Sequence, residues 1–99
     1  MIVVRDVFRL KFGKAREALA AFKEVGDEVL KGSTAPNVRI LTDLVGTYYT
    51  LVLEMSYESL SAYEATGKEI MGHPAWRAAY QKFTPHVESG YREIFTVVQ

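Results

Sequence analysis

The segment from Gly46 to Tyr57, with the sequence GTYYTLVLEMSY, constrains the fold of this chain more than any other. β-branched, aromatic and aliphatic residues follow one another there, Gly46 precedes them, and a more polar stretch follows Ser56. Because such residues pack well on a pleated sheet and the run is short, the segment predicts a central β-strand. The other predicted elements are arranged around this strand.

The composition limits the class of protein. A chain of 99 residues predicts one domain, and a domain so small buries only about two-thirds of its unfolded surface, which favours self-association. Twelve basic and twelve acidic residues cancel, so we expect no nucleic-acid or membrane partner. Cysteine is absent, which excludes disulfides and thiolate chemistry. Without a signal peptide or a long apolar run, we expect a cytoplasmic protein.

The first two elements follow from the spacing of apolar residues. Alternation from Ile2 to Phe12 predicts a strand, and Asp6 lies by parity on its apolar face, where a carboxylate needs a partner, a water or a proton. Apolar residues at helical spacing predict an amphipathic helix from Lys14 to Lys31. Gly32 is expected to end this helix, and Ser33 to Pro36 to form a loop.

The central strand is expected to pair in a hairpin, formed by residues Asn37 to Val45 and Thr47 to Tyr57. An even loop centred on Val45-Gly46 keeps apolar residues opposite apolar residues. It pairs Thr42 with Tyr49, Ile40 with Leu51, and Val38 with Leu53. On the opposite face Arg39 lies diagonal to Glu54, which predicts either a partly exposed ion pair or a contact with a ligand.

The second half of the chain predicts two helices and a strand. Glu58 to Met71 is helical, capped by Ser56, and Pro74 to Phe83 forms the next helix, because proline suits a first helical position. Ser89-Gly90 is expected to turn the chain into a last strand, Tyr91 to Val98. The expected buried side of the first of these helices comprises Leu60, Tyr63, Ile70 and Met71.

The order of the elements predicts a ferredoxin-like βαββαβ α+β sandwich. Two right-handed crossovers place the helices on one face of a four-stranded antiparallel sheet. The other face stays open and carries several apolar residues, namely Val3, Val7, Leu41, Tyr48 and Val52. Because a monomer seldom exposes so much apolar surface, we expect a homodimer in which two open faces pack together.

Three segments carry a resemblance to a known group of proteins. They are Phe-Gly-Lys before an alanine-rich helix, HPAW at residues 73–76, and GYREIFTVV at residues 90–98. With these the chain resembles the dimeric α+β barrel superfamily, near the NIPSNAP and antibiotic-biosynthesis monooxygenase families. The resemblance implies a homodimer with a barrel between two sheets and, in members that are enzymes, a pocket between each sheet and its own helices.

The resemblance also allows a check for haem degradation. Haem-degrading members use an Asn on the first strand and a Trp and a His on the second helix. The corresponding positions here hold Asp6, Ile70 and Tyr80, so all three differ. Tyr80 is able to ligate iron, but Ile70 cannot replace an indole ring. Haem binding or degradation is therefore disfavoured, and no cofactor is predicted.

Two residues are candidates for proton transfer. Asp6 is an ionisable group on the helix-facing side, which indicates either a functional role or a structural pair with an arginine or a tyrosine hydroxyl. His73 precedes Pro74 and either caps the following helix or acts as a general base at the mouth of a helix–sheet pocket. The chain has two His, far apart, so no metal-ligand spacing is present and no metal site is predicted.

The aromatic residues suggest either a core or a platform for a ligand. Trp76, Tyr80 and Phe83 share a helical stripe. The aromatic residues predicted to face them are Phe8, Tyr49, Tyr57 and Tyr63. If a cavity remains among these rings, it suits a flat apolar or aromatic molecule.

Two functions remain open from the sequence. The first is a homodimeric module that holds a small apolar or aromatic ligand, or none. The second is a cofactor-independent monooxygenase or isomerase acting on an aromatic or polyketide-like substrate, with Asp6 and His73 beside Trp76 and Tyr80. The enzyme hypothesis predicts a cavity of roughly 300 Å³ or more lined by Asp6, whereas a filled core with a salt-bridged Asp6 contradicts it.

Overall fold

A computed structural model of the chain describes residues 1–25 and 38–99. Within them, four strands form one antiparallel sheet in the order β2-β3-β1-β4, so that β3 and β1 are central. This arrangement confirms the predicted ferredoxin-like α+β class. The elements are β1 (Ile2–Leu10), α1 (Ala15–Val25), β2 (Arg39–Thr42), β3 (Thr50–Tyr57), α2 (Leu60–Met71), α3 (Pro74–Phe83), a short 3₁₀ turn (Thr84–His86) and β4 (Val87–Thr96).

Some predictions fall outside this part of the chain. The end of the first predicted helix, the expected stop at Gly32, the loop from Ser33 to Pro36 and the start of the hairpin at Asn37 all lie outside the described residues. Within the described residues, no helix is both long enough and apolar enough to cross a membrane.

The core lies between the sheet and its helices, and alternation along the strands decides which residues enter it. The buried apolar residues are Val4, Leu10, Ala18, Ala21, Phe22, Leu51, Leu53, Met55, Tyr57 and Phe83. The ring of Phe83 lies 4.9 Å from that of Phe22 and 5.0 Å from that of Phe8, both edge to face. Burial of a phenylalanine side chain away from water contributes about 1.5–3 kcal/mol to the free energy of unfolding.

The hairpin has the predicted parity but not the predicted register. Arg39 pairs directly with Glu54, and Thr42 pairs with Leu51, so each partner is shifted by two residues from the expected one. The shift arises because the connection from Asp43 to Tyr49 is longer than a tight turn, and Tyr49 adopts a positive φ of 59° within it. An even shift preserves the face of every side chain. Arg39 and Glu54 are therefore neighbours rather than diagonal residues.

The predicted turn at Ser89-Gly90 is wrong, because both residues lie inside β4. Gly90 pairs with Phe8 of β1, one residue before a register shift at Arg9 and Leu10. A Cβ atom at Gly90 would stand 3.0 Å from the carbonyl oxygen of Val7 and 3.3 Å from the ring of Phe8. Glycine is required there because of the close approach of another strand, not because of a turn.

The start of α2 and its buried side also differ from expectation. The helix is capped by Ser59 rather than Ser56, since the Ser59 hydroxyl accepts a hydrogen bond of 3.2 Å from the Ala62 amide. Leu60 and Met71 are exposed. The inward side instead follows the spacing i, i+3, i+7, and comprises Tyr63, Thr66 and Ile70.

The face of the sheet away from the helices retains exposed apolar side chains. Tyr91 is 57% exposed, Phe95 45% and Leu41 38%. Tyr91 and Phe95 pair directly with Val7 and Val3 of β1, so these four side chains share one face. The predicted open face is therefore present. Tyr48 is an exception, since it lies in the connection between β2 and β3.

Candidate functional site

A cavity of about 330 Å³ opens between the sheet and helices α2 and α3. Its floor comes from β1, β3 and β4, and its sides come from the two helices. The lining residues are Asp6, Leu53, Met55, Tyr57, Tyr63, Gly67, Ile70, Met71, Trp76, Tyr80 and Arg92. Most of this surface is apolar or aromatic, and one carboxylate and one guanidinium interrupt it.

Asp6 and Arg92 form an ion pair in the wall of the cavity. They are direct partners in the β1–β4 ladder, which places both side chains on the helix-facing side. Arg92 donates from Nε to Oδ1 of Asp6 and from Nη2 to Oδ2 at 3.3 Å. This hydrogen bonding to Asp6 raises the pKa of Arg92 above its ordinary value, although burial opposes the rise. The guanidinium also lies 5.7 Å from the centre of the Tyr63 ring.

Tyr57 brings a buried hydroxyl to the same cavity. The hydroxyl donates to the sulfur of Met55 at 3.3 Å, and sulfur is a weak acceptor. Burial raises the pKa of Tyr57 above its ordinary value of 10.0, with smaller contributions from Tyr63 and Asp6, and Arg92 acts in the opposite direction. Tyr57 therefore keeps its proton at neutral pH and remains a hydrogen-bond donor.

Helix α3 supplies an aromatic wall, formed by Trp76 and Tyr80. The two residues are four apart and so lie on one side of the helix. Their rings are stacked, with centres 5.5 Å apart and planes inclined by 19°. Across the cavity, α2 contributes Gly67, whose lack of a side chain leaves the space open.

The structure brings four of the predicted site residues together at this cavity: Asp6, Tyr63, Trp76 and Tyr80. His73 lies outside the lining set. Its Nδ1 atom accepts a hydrogen bond of 3.1 Å from the Ala75 amide and caps α3, which was one of the two roles predicted for it.

Two other predicted ligand contacts lie away from the cavity. Phe8 contacts the ring of Phe83. Tyr49 contacts the ring of Phe12 at 4.7 Å. Neither residue belongs to the set that lines the cavity.

Arg39 and Glu54 lie on the opposite face of the sheet. Glu54 is 6% exposed, and its carboxylate accepts hydrogen bonds from Nε of Arg5 at 2.8 Å and from Nε of Arg39 at 3.1 Å. The bonds from Arg39, and then those from Arg5, lower the pKa of Glu54 below its ordinary value. The predicted pair is thus part of a three-residue ionic cluster, away from the cavity.

Arg92 is the site residue that the sequence analysis did not identify. The signal was present, since the partner of Asp6 was expected to be an arginine or a tyrosine hydroxyl, and Arg92 stands in the predicted last strand. To identify Arg92 as the partner of Asp6, the register between β1 and β4 must be known, and the alternation of residues within one strand does not give that register.

The described residues do not combine into a metal site, and at the corresponding positions they lack the residues that the haem-degrading members use. Within residues 1–25 and 38–99, no group of three or more His, Asp or Glu side chains is placed to hold a metal ion. The three positions that correspond to the haem-degrading residues, Asp6, Ile70 and Tyr80, all line the cavity. None of the three is the Asn, Trp or His that the haem-degrading proteins have at the corresponding position.

Comparison with protein families identifies the chain. The family model described as NIPSNAP matches residues 5–99. The chain belongs to the NIPSNAP family. This finding agrees with the resemblance noted in the sequence. No match to a curated protein was found for this NIPSNAP chain.

Solved structures share the fold at low sequence identity. An uncharacterised NIPSNAP domain protein from Burkholderia xenovorans is 20% identical, with a TM-score of 0.86 over 99% of this chain and 95% of that one. A NIPSNAP family protein from Agrobacterium tumefaciens is 19% identical, with a TM-score of 0.87 over 98% and 85%. A candidate antibiotic biosynthesis monooxygenase from Caulobacter crescentus is 18% identical, with a TM-score of 0.78 over 99% and 90%. At these identities the similarity shows the fold alone.

Proposed function

We propose that this NIPSNAP chain binds a small apolar or aromatic molecule in the cavity between the sheet and helices α2 and α3. The observation that supports this most is the stacked pair of Trp76 and Tyr80 facing about 330 Å³ of open space. Ligand sites are concave, mostly apolar and carry a few convergent polar groups. The volume lies at the small end of their range, which suits a ligand of about one or two rings.

The test is a thermal-shift screen with small aromatic compounds, both neutral and charged. A ligand that prefers the native state raises the melting temperature, and the rise grows with the logarithm of its concentration relative to its dissociation constant. We expect at least one compound to do so, and the Trp76→Ala variant to lose that shift. Phe12→Ala is the matched control, because Phe12 is an aromatic residue 82% exposed and outside the cavity. If no compound shifts the wild type, the proposal is wrong.

A second candidate function is a cofactor-independent monooxygenase or isomerase acting on an aromatic or polyketide-like substrate. The observation that favours it is the carboxylate of Asp6 in the cavity, the position expected of a proton-transfer group. The ion pair with Arg92 is the observation against it, because both carboxylate oxygens of Asp6 already accept hydrogen bonds from the guanidinium. Asp6→Asn separates the two functions: an enzyme loses turnover and keeps binding, whereas a binding module has no turnover to lose.

We also propose that a second copy of the chain covers the open face of the sheet. Tyr91 and Phe95 leave apolar surface there, and the same face carries Glu54 and Arg39. Two identical faces related by a twofold axis bury these apolar side chains together. Sedimentation should therefore detect a dimer, and Tyr91→Glu should shift it toward the monomer. A wild type that sediments as a monomer at high concentration contradicts this.

A further inference from the structure

The wall of the cavity carries a fixed positive charge, the guanidinium of Arg92. Among the described residues that line it, Arg92 is the one with a positive charge, and Asp6 holds the guanidinium in place with two hydrogen bonds. Guanidinium has five N–H donors in a rigid plane. Asp6 accepts two of them, which leaves three for other acceptors.

Besides Asp6, Arg92 has the Tyr63 side chain as a hydrogen-bond partner, which still leaves donors of the guanidinium for a ligand. The lining side chains near it are largely apolar or aromatic, and the Arg92 side chain is 56% exposed. Tyr57 adds a hydroxyl whose acceptor is the thioether of Met55. A ligand oxygen that carries negative charge would accept from such groups more strongly than water or a neutral oxygen does.

We propose that the ligand of this cavity is a small aromatic acid. Its rings lie against Trp76 and Tyr80, and its carboxylate accepts hydrogen bonds from the guanidinium of Arg92. This inference rests on the proposed function, because it names the chemical class of the molecule that the cavity binds. Asp6 has two roles. It orients the guanidinium, and its negative charge repels the ligand carboxylate, which therefore binds the side of Arg92 that faces away from Asp6.

The experiment compares two ligands that differ only in charge. 2-Naphthoate and 2-naphthamide have the same ring system, and their affinities for the wild type are measured by titration calorimetry at pH 7. We expect 2-naphthoate to bind about tenfold or more tightly than the amide, the usual effect of a hydrogen bond to a charged group.

The decisive variant is the double substitution Asp6→Asn with Arg92→Gln. It removes both charges together, so that the buried Asp6 is not left unpaired, and its folding is checked by its melting temperature. We expect 2-naphthoate affinity to fall to that of the amide, and amide affinity to change by less than about threefold. Arg92→Lys is the second variant. Lysine keeps the positive charge but lacks the planar arrangement of N–H donors that guanidinium has. This variant should therefore retain part of the preference for 2-naphthoate over 2-naphthamide.

Arg77→Gln is the matched control, because Arg77 is an exposed arginine on α3 outside the cavity. It should leave both affinities unchanged. Equal affinities of the wild type for the two ligands, or an acid preference that survives in the double variant, would overturn the inference while leaving the proposed function in place. If neither 2-naphthoate, 2-naphthamide nor any compound of the thermal-shift screen binds, the proposed function itself fails.

Discussion

The layer between the sheet and the helices has two ends that differ in packing. We call the region around Phe8, Phe22, Leu51 and Phe83 the filled end, and the cavity lined by Asp6, Tyr57, Tyr63, Trp76, Tyr80 and Arg92 the hollow end. Helix α3 contributes to both. Phe83 is fully buried among phenylalanine rings, whereas Tyr80, one turn earlier, faces open space.

The difference shows how side-chain chemistry separates stability from binding in a small domain. The filled end uses rings with no polar atoms, so complete burial leaves nothing without a hydrogen bond. The hollow end uses tyrosine, tryptophan and an ion pair, whose polar atoms need acceptors or donors. Open space beside such groups lets water or a ligand satisfy them. Removal of a ring should therefore cost more stability at the filled end than at the hollow end, and an added methyl group should destabilise the filled end alone.

The largest expected effect is at Phe83. Phe83→Ala should lower the free energy of unfolding by about 3–5 kcal/mol, because it leaves a void in a tightly packed cluster. Trp76→Ala should cost less than half as much, although tryptophan is larger, because it widens space that is already open. Urea denaturation of both variants measures the difference. Equal losses would show that the two ends are packed alike.

A single added methyl group at the filled end should also be costly. Gly90→Ala should lower the free energy of unfolding by about 1–3 kcal/mol, because the new Cβ would meet the Val7 carbonyl oxygen at 3.0 Å and the Phe8 ring at 3.3 Å. Thermal unfolding of the variant checks this. A melting temperature equal to that of the wild type would mean that the β1–β4 contact is looser than described.

The ionic cluster on the open face supplies a reference outside both ends. Glu54→Gln should cost about 1 kcal/mol at neutral pH, since the arginines Arg5 and Arg39 are partly exposed and screened by solvent. The pKa of Glu54 is lowered from 4.5, so its contribution is present above that pH and disappears as the pH falls through the folded-state pKa. The stability difference between wild type and variant should therefore shrink below about pH 4.5.

Ligand binding provides the second readout for that variant. Glu54 lies on the far side of the sheet, so Glu54→Gln should leave the affinity for 2-naphthoate unchanged. A stability difference that stays constant from pH 7 to pH 3 would be evidence against the ionised cluster.

The smallest expected effect is at the hollow end and has the opposite sign. Gly67 is in helix α2, and among the described residues a Cβ there would meet no atom within 4 Å. Gly67→Ala should therefore raise the free energy of unfolding by about 0.5–1 kcal/mol, because alanine loses less backbone entropy in a helix. Parallel urea titrations of Gly67→Ala and Gly90→Ala give the comparison. Destabilisation at Gly67 would mean that this wall of the cavity is closed.

Periodicity alone predicted the faces of most strand residues, Tyr48 in the β2–β3 connection being an exception. Asp6 falls on the helix-facing side with Val4, and Arg39 and Glu54 fall together on the other side, because side chains alternate strictly along a strand. The sequence pattern also located the aromatic stripe of α3 and the break at Pro74.

Other features depend on partners that are distant in sequence, and the sequence did not reveal them. The β2–β3 connection contains a left-handed backbone at Tyr49, a residue type that seldom adopts it. In the sequence, Ser89-Gly90 has the composition of a turn. The structural reason for glycine at position 90 is the close approach of the Val7 carbonyl oxygen, which the sequence does not show. Arg92 becomes the partner of Asp6 only through the register of two strands at opposite ends of the chain.

The most direct test of the hollow end as a binding site is a crystal structure of the protein grown with 2-naphthoate. Our account predicts the naphthalene rings against Trp76 and Tyr80, with a carboxylate oxygen about 3 Å from a guanidinium nitrogen of Arg92. A cavity that contains only water, or a ligand bound elsewhere with Arg92 untouched, would contradict it.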